Sequence, residues 1–261
     1  MRGQLPGSEK EIDAVTEDLF NAEADVLYVR EYHCPVCEVV APTRLIRSGK
    51  NRVTGRDMDL RQRYEPADAE KYTVVVCPQC GHTAFLSRFE SITEREIKAL
   101  RQWMKPDQGL EEEPVYSYET AYARIRCAMK DAMVRGAKPS ETGYIALHTA
   151  WLIRGWREML EKDAAEGKSV PDKQVQQLRD MEKHCLSMAT DRLSRAMETE
   201  SFPIAGMDEM TFHYLLAALN CQCGSKETAA QLVMPLLRNR QTPPALRILA
   251  EDLRDELRPR R

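Results

Sequence analysis

An α+β fold, mostly α, with a small antiparallel β module in front and an all-helical remainder, is what this sequence predicts, and three observations predict it. Two C-x-x-C tetrads, Cys34-Pro35-Val36-Cys37 and Cys77-Pro78-Gln79-Cys80, lie in the first third of the chain. Short runs of β-forming residues flank both. Beyond about residue 116 nearly every stretch carries apolar residues at helical spacing, punctuated by single glycines and prolines.

The tetrads are the strongest chemical signal. Two residues between cysteines let a tight turn aim both sulfurs at one ion, and four thiolates in two such pairs suit one tetrahedral zinc. Cys34, Cys37, Cys77 and Cys80 are therefore the candidate ligands of one structural zinc. A closed four-cysteine site has no open coordination position for a substrate, so it implies a staple rather than a catalyst. His33 and His82 adjoin the ligands and are alternative donors; the blander reading has them lining the site or facing solvent. A redox role for the tetrads needs a thiolate at a helix N-terminus, whereas strand-like residues precede both pairs.

In chain order, Ser8 with Glu11 forms a capping-box pattern, and Ile12, Val15, Leu19 and Phe20 continue a short helix over residues 8–22. Residues 26–40 and 72–89 read as strands entering and leaving the metal-binding turns, together one small antiparallel sheet. The 39 residues from 38 to 76 exceed the usual spacing of a compact ribbon site, so an inserted hairpin is expected between about 44 and 70. Ser91 and Glu94 repeat the capping box and start a helix running to about 104. Residues 105–114, with Pro106, Gly109 and Glu111-Glu112-Glu113, read as a solvated linker. Helices follow near 117–135, 142–162, 172–199, 207–220, 225–238 and 244–257, with Gly136, Pro139, Gly167, Pro171, Pro203, Gly206 and Gly224 supplying turns. Leu216, Ala217, Gly224, Ala229 and Val233 fall at the spacing of one tetratricopeptide unit. The organisation is thus a tail and short helix over 1–24, a zinc-ribbon-like module with a basic insertion over 25–90, a connecting helix and linker over 91–116, and a tetratricopeptide-like helical domain over 117–261.

Net charge is −3, which offers no global case for nucleic acid or an anionic membrane. Locally the balance differs. Between residues 41 and 64, Arg44, Arg47, Lys50, Arg52, Arg56, Arg61 and Arg63 stand against only Asp57 and Asp59. Such a stretch is either a phosphate-backbone surface or a solvated hairpin. Within it, Asp57 and Asp59 of Arg56-Asp57-Met58-Asp59 would share one face of an extended strand, where they either hold a divalent cation or salt-bridge the surrounding arginines. A hydrolase or nuclease built on this pair would need further ligands, and the sequence identifies none.

The pieces around the cysteines resemble a bacterial family known as domain of unknown function 2225. The matching segments are Cys34-Pro35-Val36-Cys37, Ile46-Arg47-Ser48 with Lys50 and Arg52, Arg56-Asp57-Met58-Asp59, and Tyr72 leading to Cys77-Pro78-Gln79-Cys80-Gly81 and Ala84-Phe85. Ala150-Trp151-Leu152 with Arg154 resembles a helical motif of the same family. Glu38 stands where the family usually has glycine, which should strain the first turn without removing a ligand, and His82 where it usually has an aromatic residue. The resemblance implies architecture and no activity.

Remaining candidates carry blander readings. Cys221 and Cys223 with His213 offer too few ligands for a second metal and occupy an expected turn; Cys127 and Cys185 lie in helices as small hydrophobes; Trp151 and Trp156 read as core. The chain contains no G-x-S-x-G, G-x-G-x-x-G, Walker A, H-E-x-x-H or deaminase P-C-x-x-C motif. It opens with no charge-then-apolar leader and holds no run of about 18 apolar residues. The expectation is a non-enzymatic cytoplasmic adaptor that binds a protein or peptide through its helical domain, without a membrane partner; the alternative is a nucleic-acid-binding regulator using the basic insertion.

Overall fold

The computed structural model describes residues 20–103 and 113–258. The expected helix over 8–22 and the expected linker over 105–114 fall largely outside them, although residues 20–25 are helical.

Three antiparallel ribbons come first. Strand β1 (Leu27–His33) pairs with β2 (Val40–Ile46), β3 (Arg52–Arg56) with β4 (Gln62–Glu65), and β5 (Val74–Val76) with β6 (Thr83–Phe85). The single sheet expected from the sequence is instead three separate two-stranded sheets. Each cysteine pair sits in the turn of its own ribbon, and the two ribbons meet through side chains: Ala41 and Leu45 of β2 share a core with Val75 of β5. A short 3-10 helix (Ala69–Tyr72), capped by the Asp68 carboxylate, links β4 to β5.

Seven helices follow: α1 (Glu94–Trp103), α2 (Tyr118–Arg135), α3 (Pro139–Ala165), α4 (Asp172–Thr199), α5 (Glu209–Gln222), α6 (Lys226–Arg238) and α7 (Pro244–Leu257). The chain is mostly helical, as the sequence predicts, and small antiparallel sheets precede the helices. Two starts differ from expectation. Helix α1 uses Thr93 and Glu96 as its capping box: Glu96 Oε2 accepts from Thr93 N at 2.7 Å, and Thr93 Oγ1 from Glu96 N at 3.3 Å. Both Ser91-x-x-Glu94 and Thr93-x-x-Glu96 fit the pattern, but only Glu96 also reaches Arg135 of α2. Helix α3 begins at Pro139, which was expected in a turn; proline lacks only an N–H that the first helical turn leaves unpaired anyway.

Helices α3 and α4 enclose a core of Leu147, Trp151, Leu186, Ala189 and Leu193 that also takes in Phe212 and Leu216 of α5. A second core joins α5, α6 and α7 through Tyr214, Val233, Leu236, Ala250 and Leu253. The β module is seated on this body at two places. Tyr32, Phe89 and Leu100 bury the cysteine knuckles against α1, with Val134 of α2 alongside. Met58 and Leu60, in the turn between β3 and β4, pack into the α5–α7 core, and Tyr214 donates its hydroxyl to the Met58 carbonyl at 2.8 Å. Among the described residues no helix is long and apolar enough to cross a membrane.

Candidate metal centre

The turns after β1 and β5 are built alike. In the first, Glu38 N donates to Cys34 O at 2.8 Å and Cys34 N to Val39 O at 3.0 Å; in the second, Gly81 N donates to Cys77 O at 3.0 Å and Cys77 N to His82 O at 2.8 Å. Closing this turn requires positive φ at its fifth position, directly after the second cysteine. Gly81 adopts φ 77° without steric cost, whereas Glu38 adopts φ 65° against its own Cβ. The strain expected from the missing glycine is therefore present at Glu38.

These turns bring all four sulfurs of Cys34, Cys37, Cys77 and Cys80 within 4.8 Å of one another. Cys34 and Cys80 are 3.6 Å apart and Cys37 and Cys77 3.5 Å, too far for a disulfide bond of about 2.05 Å. Cys34 and Cys77 are 1% exposed. Hydrogen bonding from Cys34 and Cys80 holds the Cys77 thiol well below its ordinary range, while the bond to Cys77 pushes Cys34 up to about 12 and the bond to Cys34 raises Cys80 as well. Thiols packed so closely stabilise one thiolate at the expense of the others, and ionising all four calls for a cation among them. The group can hold one metal ion, and among the described residues it is the one such cluster.

His82 is not available as a substitute ligand. It is fully buried, with Nδ1 2.6 Å from Asp131 Oδ2 and Nε2 3.0 Å from the Phe89 carbonyl. Asp131 also accepts from Thr83 N at 3.1 Å and from Arg135 Nε at 2.5 Å, and Arg135 continues to Glu96 at 2.9 Å and Glu141 at 2.5 Å. His82 thus ties the second knuckle to α2. His33 is exposed; its backbone N–H donates to Glu90 Oε1 at 3.2 Å.

The basic insertion has a different fate from the one its charge suggests. Asp57 and Asp59 lie in the turn after β3 rather than along a strand, and they face arginines, not a cation site. Arg154 of α3 is the hub. Its Nη1 contacts Asp57 Oδ2 at 2.9 Å, its Nη2 Asp59 Oδ2 at 2.7 Å, and its Nε Glu182 Oε1 of α4 at 2.6 Å. Arg61, 4% exposed, reaches Asp68 at 3.2 Å and Glu158 at 3.0 Å; Arg63 reaches Asp57 at 2.6 Å and Glu158 at 2.9 Å. Arg44 donates to the Glu113 carbonyl. The salt-bridging alternative is the one observed. A Cβ at position 155 would lie 2.2 Å from Asp68 Oδ2 and 2.7 Å from Arg61 Nη2, so Gly155 is what lets the hairpin's ion network lie against α3. Arg47, Lys50, Arg52 and Arg56 stay exposed.

Sequence reasoning missed the partners, Arg154, Glu158, Glu182 and Asp131, which sit in predicted helices far along the chain. A signal was present: Arg154 is the single charged residue in the apolar stretch from 145 to 156, and a cation there must meet buried acids. Cys221 lies in the last turn of α5 and Cys223 just after it, and neither joins a metal group among the described residues.

A family model described as an uncharacterized protein conserved in bacteria, DUF2225, matches residues 27–257. No curated protein and no solved structure matches the chain.

Proposed function

The chain belongs to that uncharacterised bacterial family, and from this premise we propose that it is a non-enzymatic cytoplasmic adaptor, a zinc-stapled β module docked on a tetratricopeptide-like helical body, which grips a protein or peptide segment between the two. Zinc is supported by size and donor chemistry. Four sulfurs about 2.3 Å from a central zinc would be about 3.8 Å apart, close to the 3.6 Å Cys34–Cys80 and 3.5 Å Cys37–Cys77 separations. The ion would neutralise thiolates that crowd one another and lock both ribbons to α1; it would leave no coordination position for a substrate.

The observation that carries the adaptor reading is a cleft of about 760 Å³ whose two walls come from the two parts of the molecule. Ser87 and Arg88 line it from the metal-module side and Arg95 from α1; Lys138, Tyr144 and Glu200 line it from the helical side. A wall held in place by a staple, facing a rigid helical wall, is a pre-organised binding site. A photo-crosslinking amino acid at Ser87 should trap a discrete partner in cells, and one at Lys226, on the helical hairpin away from the cleft, should not. Trapping only from Lys226 would overturn the reading. Metal analysis should return about one zinc per chain.

The nucleic-acid reading rests on the exposed Arg47, Lys50, Arg52 and Arg56, which have no ion-pair partner among the described residues. With Arg61 buried and Arg63 tied up in ion pairs with Asp57 and Glu158, the four unpaired cations would meet at most four phosphates, so log affinity should fall against log salt with a slope no steeper than roughly −4. Absence of binding at low salt would exclude it.

A further inference from the structure

A second cavity, about 400 Å³, opens beside the cleft, where β1–β2, the 3-10 helix, β6 and α3 meet. Phe85, Ser87 and Tyr144 are walls of both, so the two run together as one groove. Its ends differ in chemistry. At the second cavity Tyr28, Leu45, Ile46, Tyr72 and Leu86 make an apolar, largely aromatic wall, and no lysine, arginine or carboxylate lines it among the described residues.

At the cleft end the walls are charged, and the charge left free is positive. Its three carboxylates, Glu96, Glu141 and Glu200, are each engaged within the protein. Glu96 accepts from Thr93 N at 2.7 Å and meets Arg135 at 2.9 Å; Glu141 meets Arg135 at 2.5 Å; Glu200 accepts from Ser140 N at 2.9 Å and from Ser140 Oγ at 2.6 Å. Arg88 lies 3.4 and 3.5 Å from Glu96 and Glu141. Arg95 and Lys138 are exposed and have no ion-pair partner among the described residues. An acidic side chain entering here meets two free cations. A basic one meets only carboxylates that already have partners, so the walls discriminate by charge.

Taking the adaptor reading as premise, we propose that the groove binds an extended acidic peptide segment of a partner protein. Its aspartates or glutamates lie at Arg95 and Lys138, and an aromatic or large aliphatic side chain of the same segment lies against Tyr28, Ile46 and Leu86. Phe85 and Tyr144, common to both cavities, hold the stretch between. The apolar anchor supplies affinity and the two cations choose the partner.

The test selects a phage-displayed random library of about twelve residues on the full-length protein and measures the recovered sequences as fluorescent synthetic peptides. Enrichment of aspartate and glutamate together with one aromatic or large aliphatic position is expected. Changing the acids of a selected peptide to their amides, or its apolar anchor to serine, should weaken binding by about tenfold each. The double variant Arg95→Glu with Lys138→Glu, both exposed positions, should cost about as much as the amide peptide and should bind the amide peptide no worse than the unaltered protein does. Lys226→Glu, away from the groove, should change nothing. Selected peptides without acids, or acidic ones indifferent to the double variant, would overturn the proposal, and trapping at Ser87 would then still uphold the adaptor reading. Palmitate, an apolar tail with one carboxylate, binding more tightly than every selected peptide would overturn it in favour of a small amphiphile. Selection of no peptide would also overturn it, and with no partner trapped at Ser87 the adaptor reading would fall too.

Discussion

At the cysteine end of the β module, Tyr32, Phe89 and Leu100 close over four sulfurs, and His82 reaching Asp131 is the buried polar tie to α2. At the hairpin end, Asp57, Asp59, Arg61 and Arg63 meet Arg154, Glu158 and Glu182 in a network of ion pairs that is buried at Asp59 and Arg61 and open to solvent at Arg63. One end packs apolar residues around a site that needs a cation from outside; the other carries its own cations. Ligand-coupled order and ion-pair order respond to different perturbations, so the two ends can be loosened separately.

The largest effect should come from the metal. Chelation, or Cys77→Ser, removes a contribution on the order of 10 kcal/mol if the ion is zinc. Hydrogen exchange should then show the amide of residue 77, bonded to His82 O at 2.8 Å, losing protection while Asp57 N, bonded to Arg61 O at 2.8 Å, keeps most of its own. Equal loss at both ends would break the comparison and make the module one cooperative unit.

Arg154→Met should do the reverse. It leaves Asp57, Asp59 and Glu182 buried without their shared partner, a loss of about 3–5 kcal/mol by urea unfolding. Arg154→Lys should fall between, because an ammonium keeps the charge but not the planar fork that spans three carboxylates. Hydrogen exchange at the hairpin should rise in both, with zinc content unchanged.

Acid should separate the ends by steepness. Burial pushes the Asp57 carboxyl up, but hydrogen bonds and charge from Arg63 and Arg154 outweigh it and hold the group below its usual range. A depressed folded pKa gives stability that is present above the unfolded value, about 3.9, and is lost as pH falls through the folded one. Hairpin protection should thus decline over that window with uptake of about one proton for this group. Metal release protonates up to four thiolates and should be the steeper transition, read from free zinc against pH.

The difference between the ends also decided what was legible. The cysteine pairs announce themselves because both ligands of each pair lie within one turn of chain, and Gly81 and the helical spacing of 172–199 or 244–257 are equally local. The hairpin network is not local: Arg154 lies 97 residues from Asp57. A count of charges between residues 41 and 64 therefore overstated the free basic charge, because Asp68 and Glu158 of α3 bury Arg61 and Glu158 also pairs the exposed Arg63. His82 was hidden for the same reason, since its partner Asp131 is 49 residues on. Ribbon pairing was local and readable; how the ribbons meet depends on side-chain packing, which alternation along a strand does not encode.

The smallest expected effect tests the comparison within the cysteine end itself. Its two knuckles share hydrogen bonds and differ at one backbone position, where Gly81 is relaxed at φ 77° and Glu38 is strained at φ 65°. Glu38 is exposed and forms no ion pair among the described residues, so replacing it forfeits no contact there. Glu38→Gly should stabilise the metal-bound protein by roughly 0.5–1 kcal/mol, the left-handed penalty less the added freedom of glycine in the unfolded chain. Glu38→Ala keeps the Cβ and should not help. If alanine stabilises as much as glycine in thermal unfolding, the burden at this position is the carboxylate's charge beside the thiolates rather than the backbone, and the two knuckles differ in electrostatics instead of conformation.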